Sequence, residues 1–449
     1  MNRRQLLKTS AAASAAFTSF PILGAETPGK KRSIALIGSG WWGMNILGTA
    51  MEVGGCKVVG MCDVDERQLR PARETVQRLT GDQPRAYRDY RELLQKEKPE
   101  IAIVATPDHW HPLIMIEAVR AGSHVYVEKP IGHTVREGRA MVNAARATGK
   151  TVQVGTHRRV SPHNVSAREF IRSGKVGKIG AIRAFVQYGG GLETPHSNVE
   201  PPKALDWNFW CGPAPLRPFN GDANPDRAGG WGIHPKGFRQ YLDYANGTLG
   251  DWGVHWLDQI LWIMDQEKWP RKVFSTGGRP IKGPAILNAN EQTSDAPDSQ
   301  VAVYEFENFT VTWEHRQFSG NNHEKNESVG CYFFGTKGVF HLGWKGGWTF
   351  FPLAKNAAQQ SEAPQLNKPD DQNIKELWGD FLSAIQEGRK PVSDIEEIHD
   401  STNLSLLGML SMKLGRSIQW DGRKEECVGD PEANRLLQRD YRAPWVYPT

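Results

Sequence analysis

Residues Ser33–Gly43 read SIALIGSGWWG: a short apolar run, then glycines spaced as Gly38-x-Gly40-x-x-Gly43. The run predicts a strand, and the apolar-periodic segment from Trp41 to about Glu52 predicts a helix. Glycines at such a junction have separate tasks. The first permits a tight turn. The second removes a side chain where backbone must approach a pyrophosphate. The third lets helix and strand pack closely, with the helix N-terminus facing the phosphate charge. A second strand, Lys57–Cys62, ends in Asp63, 20 residues beyond Gly43, where a carboxylate can bind the adenosine ribose hydroxyls. Gly38, Gly40, Trp42, Gly43 and Asp63 are therefore expected to hold a dinucleotide. Asp63, with Asp65 and Glu66 close by, repels a 2′-phosphate and favours NAD; Arg67 nearby keeps NADP possible.

Working outward, Glu100–Thr106, His124–Lys129 and Thr151–Thr156 read as further strands. They alternate with helices over 111–122 and 135–150. That alternation predicts a parallel, doubly wound sheet. After about residue 156 the texture changes. KIGAIRAFVQYG, SQVAVYEFEN, FTVTWEHRQ, CYFFGT and GVFHLGW read as strands of a second, mostly antiparallel sheet. Helices follow near 372–388 and 393–416, then an aromatic tail. The expected organisation is a leader over 1–25, a Rossmann domain over 32–155, a substrate and oligomerisation domain over 156–420 and a tail over 421–449.

The hydrophobic content of 39% and charged content of 23% describe a globular chain able to bury a core. The net charge is +5, and Arg3, Arg4 and Lys8 supply three of it, leaving +2 for the rest. No basic face for nucleic acid follows. Asn2-Arg3-Arg4-Gln5-Leu6-Leu7-Lys8 resembles a twin-arginine export signal, with a cleavage site at Leu23-Gly24-Ala25. Its apolar stretch is too short to span a bilayer stably. The expected location is the periplasm, with no membrane insertion after leader removal. Five cysteines without a CxxC pair need form no disulfide.

Two further stretches carry chemistry. Glu128-Lys129-Pro130 follows the strand at 124–127, and ligands of open α/β sheets bind outside the carboxyl ends of strands. Pro130 biases Lys129 toward an extended backbone, which aims the ammonium at the hydride-transfer centre. In GTLGDWGVHWLDQILW (247–262), read as one helix, Asp251, His255, Asp258 and Trp262 share a stripe. A carboxylate one turn from a histidine can orient its ring, and His255 is the natural group to take a hydroxyl proton.

Asp251-x-Gly253-x-His255-x-x-Asp258, with Glu128-Lys129-Pro130 and VATPDHWHP (104–112), resembles the Gfo/Idh/MocA oxidoreductase family over residues 32 to 420. The resemblance implies an N-terminal Rossmann domain and a C-terminal α/β domain whose large open sheet often makes oligomer contacts. It implies Lys129, Asp251 and His255 as the catalytic set, and Thr106, Pro107, His111, Glu128 and Lys129 beside the cofactor. In QVGTHRR (153–159) it points to His157 and Arg159 on the substrate side. The likeness extends to exported, tryptophan-rich members, in which Trp207, Trp210 and Trp231 could stack on sugar faces. His109-x-His111 lacks further ligands at recognisable spacing, so no metal is expected. The expected activity is oxidation of a hydroxyl of a sugar, sugar derivative or cyclitol, with tightly held NAD. The alternative is redox-neutral glycoside cleavage through a transient keto-sugar and elimination. A non-catalytic cofactor-binding scaffold is the third reading.

Overall fold

The computed structural model describes residues 31–221, 232–265, 267–367 and 372–449. The expected leader and Trp231 lie outside them. Six parallel strands form the first sheet: β1 (Arg32–Ile37), β2 (Cys56–Cys62), β3 (Arg85–Tyr87), β4 (Ile101–Val104), β5 (His124–Val127) and β6 (Val152–Val154). Their order is β3-β2-β1-β4-β5-β6. The chain steps outward from β1 to β3, then crosses to β4 on the other side. That reversal opens a crevice at the carboxyl ends of β1 and β4, where open α/β sheets bind ligands. All four residues of β4 are buried, as parallel strands covered on both faces require.

Helices α1 (Trp41–Val53), α2 (Glu66–Thr80), α3 (Tyr90–Glu97), α4 (His111–Arg120) and α5 (Val135–Thr148) link these strands. In α5 a capping box holds the first turn: Thr134 accepts from the Glu137 backbone, and Glu137 reaches back to the Thr134 backbone. Sequence reading leaves α2 unassigned. Only Leu69, Ala72 and Val76 of its fifteen residues are buried, so its apolar stripe is thin, and Pro71 interrupts it.

The remaining helices and strands, 3-10 turns aside, are α6 (Pro162–Arg172), β7 (Ile179–Gln187), β8 (His196–Ser197), α7 (Trp207–Cys211), α8 (Gly247–Asp251), α9 (Gly253–Met264), β9 (Lys272–Gly278), β10 (Glu291–Gln292), β11 (Ser299–Glu305), β12 (Thr310–Arg316), β13 (Val329–Gly335), β14 (Gly338–Gly343), β15 (Trp348–Pro352), β16 (Gln360–Glu362), α10 (Ile374–Glu387), α11 (Ile395–Leu414), β17 (Ile418–Asp421), β18 (Glu426–Cys427) and α12 (Pro431–Arg435). Ten of these strands make the second sheet, in the order β16-β15-β14-β13-β7-β12-β11-β9-β17-β18. Only β7 and β12 pair in parallel; the other neighbours are antiparallel. Along β12 exposure alternates residue by residue, the mark of a sheet packed on one face. On that face Trp256, Leu257, Leu404 and Leu407 of α9 and α11 join Val311, Trp313 and Phe333 in one core.

The two halves interlock. Leu377, Trp378 and Phe381 of α10 pack with Ile34, Leu36, Ile46 and Tyr126. A helix from late in the chain thus covers one face of the first sheet. The helix expected over 247–262 is broken: α8 ends at Asp251 and α9 starts at Gly253. No helix among the described residues is long and apolar enough to cross a membrane.

Candidate active site

A cleft of about 420 Å³ opens at the carboxyl edge of the parallel sheet, with α8, α9 and the segment 234–239 on its far side. The glycine turn forms one end. Gly38 has φ 93°, and a Cβ there would lie 2.5 Å from the Ala105 carbonyl oxygen, so this position needs glycine. A Cβ on Gly43 would come within 2.1 Å of the Gly38 carbonyl oxygen, which fixes it as the close-packing glycine. Gly40 differs: its Cβ would meet nothing within 4 Å, which leaves ligand-sized room above the backbone. The first turn of α1 carries no acid and no side-chain cap, so its N–H groups face the space unopposed. These features fit a pyrophosphate. At the end of β2, Asp63 accepts from the Ser39 amide at 2.8 Å, the Ser39 hydroxyl at 3.0 Å and the Asp65 amide at 3.0 Å. Burial pushes its pKa up against those bonds. Gly38, Gly40, Trp42, Asp63, Thr106, Pro107, His111, Glu128 and Lys129 all line the cleft.

Glu128 and Lys129 lie just past β5. The Glu128 carboxyl is buried and its pKa is pushed up to about 7 by that burial, against the pull of Lys129 and a hydrogen bond from Trp42. His111 lies between the carbonyls of Pro130, 2.7 Å from Nδ1, and Thr106, 2.8 Å from Nε2. Burial lowers its pKa to about 4; the neutral ring carries one N–H and so donates to only one of these two carbonyls.

Lys129 Nζ donates to Asp251 Oδ1 at 2.6 Å and to the Asp251 carbonyl at 3.2 Å. Arg239 Nε lies 3.4 Å from the same carboxylate oxygen. Burial opposes the negative charge, but these two cations hold the Asp251 carboxyl below its usual range. The expectation that Asp251 orients His255 is corrected here. The Asp251 carboxylate is engaged by Lys129 and Arg239, and the Nδ1 of His255 has no hydrogen-bond partner among the described residues. His255 is set instead by an aromatic corner. Its ring lies 5.4 Å from His157, 5.2 Å from Trp344 and 5.7 Å from Trp252. Burial, then the charges of Lys129 and Arg158, push its pKa well down. His255 is therefore a neutral imidazole in a cleft, with an ammonium held nearby.

His157 lines the cleft, its ring 6.3 Å from that of Trp42. Arg159 does not. Its guanidinium forms a buried two-point pair with Asp258, 2.7 and 3.0 Å, and also binds Glu397. The neighbouring Arg158 turns the other way, 3.6 Å over the ring of Trp344. Trp207 is a core residue, stacked on Trp210 at 4.6 Å and bonded to the Arg217 carbonyl. Trp210 reaches the cleft wall but is 3% exposed, too little for a sugar-stacking face. His109 packs among Trp210 and Tyr244 rather than beside His111. The described residues contain no group of three metal-ligating side chains.

Sequence reading missed Asp108, Arg239, Trp252 and Trp344, all of which line the cleft. Asp108 lay within VATPDHWHP, where the histidines drew attention. It is a buried carboxyl whose pKa burial lifts to about 7. Arg239 lies in a short 3-10 turn (Gly237–Gln240) and Trp344 just past β14, neither with a local signature.

Two family models match. One, described as oxidoreductase family, NAD-binding Rossmann fold, covers residues 32–156; the other, oxidoreductase family, C-terminal alpha/beta domain, covers 185–447. The chain is 24% identical to a glycosyl hydrolase family 109 protein of Akkermansia muciniphila, over 33% of this chain and 32% of that one. It is 29% identical to a levoglucosan dehydrogenase of Pseudarthrobacter phenanthrenivorans, over 27% and 29%. The alignments thus span about a third of the length of these curated relatives. The fold is similar to that of a levoglucosan dehydrogenase solved with NADH and levoglucosan, with a TM-score of 0.64 and 17% identity over 86% of this chain and 98% of that one.

Proposed function

The chain belongs to the Gfo/Idh/MocA oxidoreductase family, and from that premise we propose that it is an NAD-dependent oxidoreductase acting on a secondary hydroxyl of a sugar, sugar derivative or cyclitol. One observation carries the reading. Lys129, clamped 2.6 Å from Asp251, shares a single cleft with neutral His255 and with the glycine turn. A nicotinamide bound there supplies the hydride acceptor. His255 is the cleft group placed to take the hydroxyl proton. Lys129 stabilises the oxygen as negative charge develops on it. Asp251 fixes where that ammonium sits.

Asp63 sets the nucleotide preference in this reading. Asp63→Ala should weaken NAD binding and improve relative NADP binding, because the ribose hydroxyls lose an acceptor and a 2′-phosphate loses a repulsive neighbour. Titration of both nucleotides against the two proteins checks this. A wild type that prefers NADP would overturn it.

We also propose export through the twin-arginine route with the nucleotide held through each cycle and its hydride returned within that cycle, to a second substrate or to the same molecule, since free NAD is expected to be scarce outside the cytoplasm. The relatives named for glycosyl hydrolase family 109 support a second reading, glycoside cleavage with no net redox change. One experiment addresses both. The protein is purified from the periplasm, denatured, and its released nucleotide assayed. A second portion is incubated with NAD and levoglucosan, a free aldose, a cyclitol or an aryl glycoside. Ketone and NADH in step support the oxidoreductase. A freed aryl group without NADH supports cleavage. An empty protein that needs added NAD and accumulates NADH stoichiometrically would sink the retention proposal.

A further inference from the structure

The segment Ile233–Arg239 lies outside the parallel sheet's own connections, yet it forms the wall of the cleft opposite the glycine turn. It is fastened along its length. The Ile233 amide donates to the buried side chain of Asn220 at 2.9 Å. His234 Nε2 lies 2.9 Å from Asp65 Oδ2, with both side chains buried. The ammonium of Lys236 sits 4.6 Å over the ring of Trp41, the first residue of α1. Arg239 reaches Asp251 at 3.4 Å. The segment therefore runs from the carboxyl end of β2, beside Asp63, to Asp251 and Lys129.

Asp65 is the informative anchor. It caps α2, accepts from the Arg67 amide at 3.0 Å, and donates its own amide to Asp63 Oδ1 at 3.0 Å. His234 is thus one residue removed from the carboxylate proposed to hold the adenosine ribose. A dinucleotide lying between Gly40 and Asp63 at one end and Lys129 at the other has this segment along its outer side. Lifting the segment breaks a buried imidazole–carboxylate contact. Asp65 keeps its two-point pair with Arg67, at 2.9 and 2.8 Å, so the cost of opening falls on the buried imidazole, whose Nε2 loses its partner. A mere interdomain contact would need no cleft-lining face, whereas His234, Pro235, Lys236, Phe238 and Arg239 all line the cleft.

We infer that Ile233–Arg239 is a clasp over the cofactor, latched by His234 on Asp65, and that its opening sets the rate of nucleotide exchange. The inference rests on the reading that this cleft binds NAD. The full chain is loaded with NADH, and the loss of protein-bound nicotinamide fluorescence is followed after adding excess NAD. His234→Ala should release NADH at least tenfold faster than wild type. His234→Gln, whose amide keeps a donor for Asp65, should stay within threefold. Lys236→Ala, at the exposed outer lip, should release several-fold faster and provides a second readout if His234→Ala folds poorly. Wild-type release rates in folded His234→Ala and Lys236→Ala would overturn the clasp while leaving the cofactor site intact. A wild type that binds no NADH would remove the cofactor reading, and the clasp with it.

Discussion

Replacing Lys129 with alanine is expected to lower kcat by about a hundredfold to ten-thousandfold, the scale of a positioned acid–base or charge-stabilising group. The geometry gives the reason. The ammonium is held by both the side chain and the carbonyl of Asp251, 2.6 and 3.2 Å away, so its position is fixed before substrate arrives. Alanine leaves the Asp251 carboxylate facing only Arg239 at 3.4 Å, and the added negative character opposes alkoxide formation. His255→Asn should cost a similar factor, because asparagine cannot take a proton. The pH profile separates the two roles. A base acts only when neutral, and the pKa of His255 is lowered, first by burial and then by Lys129. The acid limb of kcat/KM should therefore fall below the free-histidine value of about 6.5. In His255→Asn that limb should vanish from the residual activity. His255→Asn should still bind NADH, since His255 lies away from the glycine turn. If both variants turn over an identified substrate within threefold of wild type, neither residue is part of the mechanism.

How far the sequence reveals such a site depends on whether each feature is local. The glycine turn is legible because its demands are those of backbone: a positive φ at Gly38, open space at Gly40, contact at Gly43. Lys129 and His255 have positions that are legible locally, while their catalytic reading comes from the family resemblance. One stands just past a strand end and the other on an apolar-faced helix, and both positions follow from short-range pattern. The partner of Asp251 is not legible. Periodicity treats 247–262 as one helix and makes Asp251 the neighbour of His255. The carboxylate instead binds a lysine 122 residues earlier in the chain, a tertiary contact that no local period reports. The same limit explains the tryptophans. Composition supplies aromatic surface, but only the fold decides that Trp207 stacks in a core while Trp344, unremarked in the sequence, reaches the cleft.

Arg159 shows how that limit turns a site residue into a structural one, and it carries the second large effect. Arg158 and Arg159 are adjacent in a short 3-10 turn (His157–Val160), where no period tells which faces the cleft. In the fold, Arg159 bonds Asp258 twice, reaches the Val392 carbonyl at 2.9 Å and pairs with Glu397. Ser401 Oγ donates to Asp258 Oδ1 at 2.8 Å. One guanidinium thereby joins the loop after β6 to α9 and α11. Burial disfavours its charge, but Asp258 and Glu397 outweigh that and raise its pKa. Arg159→Ala would strand the fully buried Asp258 carboxylate with Ser401 alone. Breaking such a pair from one side costs about 3–5 kcal/mol, while replacing both partners by apolar residues of similar volume is often close to neutral. Arg159→Ala should therefore lower the thermal midpoint sharply, and Arg159→Met with Asp258→Leu should recover much of the loss. Because Asp258 sits one turn beyond His255 on α9, the single variant should also lose activity beyond its unfolded fraction, as His255 shifts with its helix. Thermal melts of the three proteins, with turnover measured well below each midpoint, test the chain of reasoning. A single variant within about 1 kcal/mol of wild type, far below the cost of stranding a buried charge, would mean that Asp258 is not held as a buried ion and that Arg159 is free to serve the cleft after all.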